Sequence, residues 1–171
     1  SSALGLPRDA IRLGLSSFVS DARNNPGRFN EFHHNGARIF VDFAHNPHSI
    51  SAVCDAMALF PSKRRFMMLS QPGDRSDQST ADATIAALQF KPDLIVIAEI
   101  EDYLRGRALD ETPALIQTSA ISAGIKPEHI SHVSSPSIGA KQIFDQLQPG
   151  DLALLLVLSD RERVFEILAN A

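Results

Sequence analysis

A carboxylate, an imidazole and a carboxamide stand close together in Val41-Asp42-Phe43-Ala44-His45-Asn46-Pro47. Asp42 ends an apolar run, and Asn46-Pro47 reads as the start of a helix, with Asn46 as N-cap and Pro47 in the first position. A strand-to-helix junction of this kind sets side chains and free backbone N–H groups at the carboxyl edge of a sheet, where ligands bind in open α/β folds. Arg28, in Pro26-Gly27-Arg28-Phe29, adds a guanidinium suited to phosphate or carboxylate. Two later loops carry mixed charge. The first is Gln71-Pro72-Gly73-Asp74-Arg75-Ser76-Asp77, and the second runs through Glu99, Glu101, Asp102, Arg105 and Arg107. An amino-acid zwitterion needs a carboxylate for its ammonium and an arginine for its carboxylate, and these loops contain both.

Each of these residues also has a plainer reading. Asp42 could cap the helix, His45 could be structural, Asp74 and Arg75 could form a local ion pair, and Arg105 and Arg107 could lie in a solvated loop. His33, His34, His45 and His48 lack a diagnostic ligand spacing, so no metal site is expected. Three common machineries are absent. There is no G-x-x-x-x-G-K-[ST], no G-x-G-x-x-G after a strand and no G-x-S-x-G.

The elements that must position these residues follow from pattern. Residues 8–19 have helical spacing of Ile11, Leu15 and Phe18. Asn24-Asn25-Pro26-Gly27 breaks the chain, and Asn35-Gly36 between two short β-compatible runs predicts a hairpin over 30–42. Helices are then expected over 47–59, 78–90, 111–123 and 137–147, with a last one capped by Ser159. Strands are expected over 65–69, 94–98, 130–133 and 152–158. This alternation predicts an α/β fold: a three-layer Rossmann-like sandwich, mostly parallel, with an antiparallel edge strand from the N-terminal β-hairpin. The expected division is 1–25 as the tail and linker of a preceding domain and 26–171 as one domain.

A chain of 171 residues can bury a single sizeable core. Its net charge of −4 gives no nucleic-acid surface. Lys63-Arg64-Arg65 reads as a solvated corner, and Cys54, the one cysteine, reads as a buried apolar residue with no disulfide to make. No signal peptide or membrane-length apolar run is present, so no membrane partner and a cytoplasmic location are expected. The first residue is Ser1, which suggests a fragment.

Taken together, Pro26-Gly27-Arg28-Phe29-Asn30, the Asp42-to-Pro47 phrase, Pro72-Gly73-Asp74-Arg75-Ser76-Asp77 and Arg105-Gly106-Arg107 resemble the C-terminal domain of the Mur ligase superfamily. Within it they are most similar to the cyanophycin synthetase family. Ala3-Leu4-Gly5 and Ile11-Arg12-Leu13-Gly14-Leu15 resemble the end of that superfamily's central ATPase domain. The resemblance implies an ATP-dependent ligase that forms an amide through an acyl phosphate. This domain would close over ATP and position the incoming amino acid, by implication arginine, for attack on an aspartate-rich or peptide acceptor. The preceding ATPase domain would hold most of the phosphates and Mg2+, a homo-oligomer is possible, and this fragment alone would be inactive, with no catalytic residue of its own. By resemblance, Arg28, Asp42, His45 and Asn46 line the nucleotide cleft. Asp74, Arg75, Asp77, Arg105 and Arg107 lie where the amino acid is held. Tyr103 and Leu104 depart from the acidic run that usually precedes Arg-Gly-Arg, which leaves the amino acid open. Rival readings are another Mur-type ligase (peptidoglycan precursor or folylpolyglutamate type) and a non-catalytic nucleotide- or amino-acid-binding module. A receiver-like phosphoacceptor is disfavoured, because Leu158-Ser159-Asp160 offers no lysine.

Overall fold

The computed structural model describes residues 5–17 and 23–169. Strands β1 (Asn30–His34) and β2 (Ala37–Asp42) form the predicted hairpin. Its two-residue turn has positive φ at both positions, 48° at Asn35 and 74° at Gly36. Such a turn matches the right-handed strand twist, which explains the Asn-Gly pair. Then come α2 (Pro47–Met57), β3 (Arg65–Leu69), α3 (Asp77–Ala87), β4 (Leu94–Ala98), α4 (Glu111–Ser122), β5 (Ile130–Val133), α5 (Pro136–Phe144), β6 (Leu152–Leu156) and α6 (Arg161–Ala169). The N-terminal helix α1 (Arg8–Ser17) buries none of its residues, and Leu13 and Leu15 are exposed. Phe18, Val19, Ala3 and Leu4 lie outside the described residues.

The sheet order is β1-β2-β6-β3-β4-β5, with β1 antiparallel to β2 and every other pair parallel. Connections from β2 to β5 run one way across the sheet, and α2, α3 and α4 pack side by side on one face. The connection from β5 returns to β6, so right-handed crossover sends α5 to the other face, where α6 joins it. The strands are buried on both sides. Met67 and Leu69 pack under Ile50, Ala83 and Ile116, while Phe66 and Met68 pack under Ala140, Ile143 and Val164. Period-2 alternation thus divides near-continuous apolar strands between two cores.

Several boundaries move for local reasons. The predicted 78–90 helix ends at Ala87 and tightens into a 3-10 turn at Leu88–Phe90. Lys91 then adopts φ 54°, and Pro92 blocks any helical continuation. Helix α5 starts one residue early because Pro136 takes its first position behind the Ser135 cap. Helix α6 begins after Asp160, whose carbonyl accepts the Val164 N–H at 3.1 Å, so Ser159 is not its first-turn cap. Strand β6 stops at Leu156.

Strands β2 and β3 feed helices on one face, while β6, lying between them, feeds α6 on the other. Loops diverge there and open a crevice at the carboxyl edge.

Candidate functional site

The hairpin register places Asn30 opposite Val41, so Phe29 comes opposite Asp42. Asp42 is 8% exposed. One carboxylate oxygen accepts the Phe29 N–H at 2.8 Å and the other accepts the Ala44 N–H at 2.7 Å. Phe29 sits at φ 50°, a conformation disfavoured for a residue with a Cβ, and the bond to Asp42 helps to hold it. Buried Asn30 accepts the Gly27 N–H at 2.6 Å, and the Phe43 N–H donates to the Gly27 carbonyl at 2.9 Å. The loop that carries Arg28 is therefore fixed directly against Asp42.

The Arg28 guanidinium lies 5.5 Å from the centre of the Phe43 ring, and the His45 ring meets Phe43 edge-on at 5.4 Å. Nδ1 of His45 is 3.1 Å from the Phe43 carbonyl. A carbonyl only accepts, so Nδ1 carries the proton and Nε2 is left as the acceptor of the neutral ring. Asn46 caps α2 as predicted: its side chain accepts the Ser49 N–H at 2.9 Å, and Ser49 completes a capping box. Arg28, Asp42 and His45 thus form one group around Phe43, while Asn46 serves the helix beside it.

Phe43 also lines a cavity of about 770 Å³ at the crevice. Its walls come from the loops after β4, β5 and β6, chiefly Glu99–Tyr103, Ser134–Pro136 and the segment 157–163. Asp160, at φ 56°, accepts the Ser137 N–H at 3.2 Å and so ties the start of α6 to the start of α5. Arg161 lines the cavity and donates to the Pro26 carbonyl at 3.4 Å. A Cβ on Gly27 would come within 3.3 Å of its Cδ. The Arg28 loop and the cavity therefore share a wall at Phe43 and Arg161. Five acidic side chains and two arginines line this cavity.

None of the nine predicted residues lines that cavity, and Asp74, Arg75, Asp77, Arg105 and Arg107 belong to two loops beside it. They hold the two neighbouring loops to each other. Asp74 pairs with Arg105, not with Arg75. Arg107 is 15% exposed; it donates to the Gly73 carbonyl at 2.9 Å, the Arg75 carbonyl at 2.7 Å, Asp77 at 2.7 Å and Glu111 at 2.6 Å. Asp77, and then Glu111, hold its pKa above the ordinary arginine value. The Gly73 N–H donates to the Tyr103 carbonyl at 2.8 Å, and a Cβ on Gly73 would strike the Leu104 carbonyl. This network fixes Tyr103, a cavity residue, from behind. The Arg75 side chain is exposed.

Sequence reasoning passed over Asp160, Arg161, Glu162 and Arg163. Their signal was available: a run of alternating charge directly after the most apolar strand, at the edge where parallel strands end.

Comparison with known proteins shows the family. A family model described as "Mur ligase, glutamate ligase domain" matches residues 27–156. A cyanophycin synthetase of Synechocystis sp. is 38% identical over 113 residues, covering 66% of this chain and 12% of that protein. A UDP-N-acetylmuramate--L-alanine ligase of Mesorhizobium japonicum is 30% identical over 159 residues, covering 90% of this chain and 32% of that protein. The structure of E. coli FolC in complex with ADP superposes with a TM-score of 0.68 at 21% identity, over 96% of this chain and 35% of FolC. The chain therefore spans between 12% and 35% of the length of these relatives. No described helix is long and apolar enough to cross a membrane. The match across residues 27–156, on a sheet with this order and this crevice, makes the chain a member of the Mur ligase family carrying its C-terminal domain, related to cyanophycin synthetases.

Proposed function

We propose that the chain is the C-terminal domain of an ATP-dependent ligase of the cyanophycin type, covering the nucleotide and presenting arginine to an activated carboxylate. The observation that carries this reading is the mixed-charge cavity sharing Phe43 and Arg161 with the Arg28 loop. Amide formation brings an amine against a carboxylate activated by a nucleotide, so the two binding regions must adjoin. The excess of acidic groups suits an amino acid with a cationic side chain. In this reading Glu101 and Asp102 face the guanidinium of the substrate, and Arg161 and Arg163 take its α-carboxylate. Asp74, Asp77, Arg105 and Arg107 are positioning residues for the Glu101–Tyr103 segment, and Arg75 reaches toward the acceptor.

ATP supplies the phosphoryl group that activates the acceptor. Exposed Arg28, the Nε2 acceptor of His45 and the remaining lone pairs of Asp42 fit the nucleoside side of such a ligand, with Asn46 alongside. The chain has no phosphate-cradling P-loop, which suits a domain whose partner holds the triphosphate and Mg2+. We read residues 1–25 as the junction with that partner. The bare α1, with Leu13 and Leu15 outward, supports this division. A polyaspartate or peptide acceptor and a cytoplasmic location belong to the same reading.

The test is phosphate release by the longer ligase carrying this domain, with each amino acid in turn. Arginine should drive release. Arg28→Ala should raise the KM for ATP, and Glu101→Gln with Asp102→Asn should raise the KM for arginine. Release driven by L-alanine or L-lysine instead would reassign the domain to a peptidoglycan-type ligase.

A further inference from the structure

Glu99, Asp110 and His132 lie far apart in sequence but meet beside the carboxyl edge. Each offers a ligand atom within 4.8 Å of the others. Glu99 follows β4, His132 lies in β5 next to it, and Asp110 immediately precedes α4. A cavity of about 410 Å³ opens on the three, with Glu101 on its rim.

Two further observations fit a cation at this place. Glu99 is 5% exposed, yet no lysine or arginine pairs with it among the described residues. Only the N–H groups of Ile100 (3.0 Å) and Asp110 (2.7 Å) hold its two oxygens. Buried carboxylates are ordinarily paired with a cation or bound to a metal. In addition, Nε2 of His132 stands 3.5 Å from the Asp110 carboxylate. That is too long for a hydrogen bond. It is close to the ~3.4 Å edge between two ligands each about 2.1 Å from a tetrahedral ion.

We propose that Glu99, Asp110 and His132 bind one divalent transition cation of the Zn2+ class, with solvent completing the shell. An imidazole with two carboxylates suits such an ion better than Mg2+, which prefers an all-oxygen octahedron. The ion neutralises Glu99 and ties β4, β5 and the residue before α4 together. It therefore pins the segment 101–110, which carries Arg105 and Arg107. The expected absence of a metal site rested on histidines adjacent in sequence, whereas this site draws one ligand from each of three separate elements.

The test titrates the 171-residue chain, stripped with a chelator, with Zn2+ in millimolar Mg2+ and without nucleotide or amino acid. Its outcome is thereby independent of the ligase reading. We expect one saturable site per chain, a raised thermal midpoint, and an X-ray absorption shell of one nitrogen with oxygens. Asp110→Asn and His132→Gln should each weaken binding at least about tenfold. Both variants keep the backbone bond from Asp110 to Glu99, so their metal-free thermal midpoints should match the parent chain. His48→Gln, on the exposed start of α2, should bind as the parent does. No saturable site, a shell rich in histidine, or affinity unchanged in both variants would overturn the proposal.

Discussion

Replacing Asp42 by alanine separates its work on the fold from any contact with a ligand. The buried carboxylate accepts two backbone N–H groups, from Phe29 and Ala44. Hydrogen bonds to a charged group contribute about 1.5–3 kcal/mol each. Against that loss, Phe29 is released from φ 50°, a conformation worth on the order of 1–2 kcal/mol of strain. The net destabilisation is about 3 kcal/mol, or a fall of about 6–12 °C in Tm for a domain of this size. Asp42→Asn keeps one acceptor but turns an N–H group toward the other amide, so it should show at least about half that fall. Thermal unfolding of the 171-residue chain without ligand measures the effect, and the amide resonances of Phe29 and Ala44 report its location. A fall below about 2 °C with both amides unmoved would refute the idea that Asp42 holds the Arg28 loop.

Three other outcomes follow from single contacts. Gly73→Ala drives a Cβ into the Leu104 carbonyl, a backbone atom that cannot swing away, and should cost about 1–3 kcal/mol in urea unfolding while loosening the Tyr103 segment. Burial raises the Asp151 pKa, but Arg64 and the Gln148 N–H outweigh it and leave it below the ordinary aspartate value. The stability from Asp151 is thus fully present above its unfolded pKa of about 3.9 and lost as pH falls through the lower folded value; Asp151→Asn should flatten the acid limb of a stability–pH curve. Burial, aided by Asp55, pushes the Cys54 thiol to about 11, and the residue is 2% exposed. At pH 8 a disulfide reagent should label it only at the rate of chain opening, and immediate labelling of one equivalent would contradict that burial.

How far the sequence reached is clearest in the hairpin. Asn35-Gly36 sets the register, the register sets Phe29 opposite Asp42, and the neighbourhood of Arg28 and Asp42 was legible before any coordinates. The Asn46-Pro47 start of α2 was equally local. The cavity was not legible in this way, because it depends on β6 inserting between β2 and β3, and pairing as distant as Arg38 with Leu152 or Arg65 with Leu152 leaves no local mark. Only that insertion brings Arg161 next to Pro26. Arg107 illustrates the same limit. Its bonds to Gly73, Arg75 and Asp77 depend on Gly73 and Leu104 approaching closely, and Arg-Gly-Arg in sequence reads equally well as a solvated loop.

The shared wall bears on why one domain would carry both binding regions. A reacting amine must come within about 3–3.5 Å of its carbonyl, and small displacements from that geometry are costly in rate. On the ligase reading, the nucleotide lies against the Arg28 loop and the amino acid lies in the cavity. Separate mobile loops would leave their relative placement to chance. Here the Phe43 N–H bonds to Gly27, its ring carries the Arg28 guanidinium, and Arg161 packs on Gly27 from the cavity side. Arg161 therefore touches the two residues that precede Arg28. Without a Cβ, Gly27 at φ 76° gives Arg161 room to approach and the chain room to turn. A side chain there would press on Arg161 and strain the turn at once, so one substitution would disturb both regions.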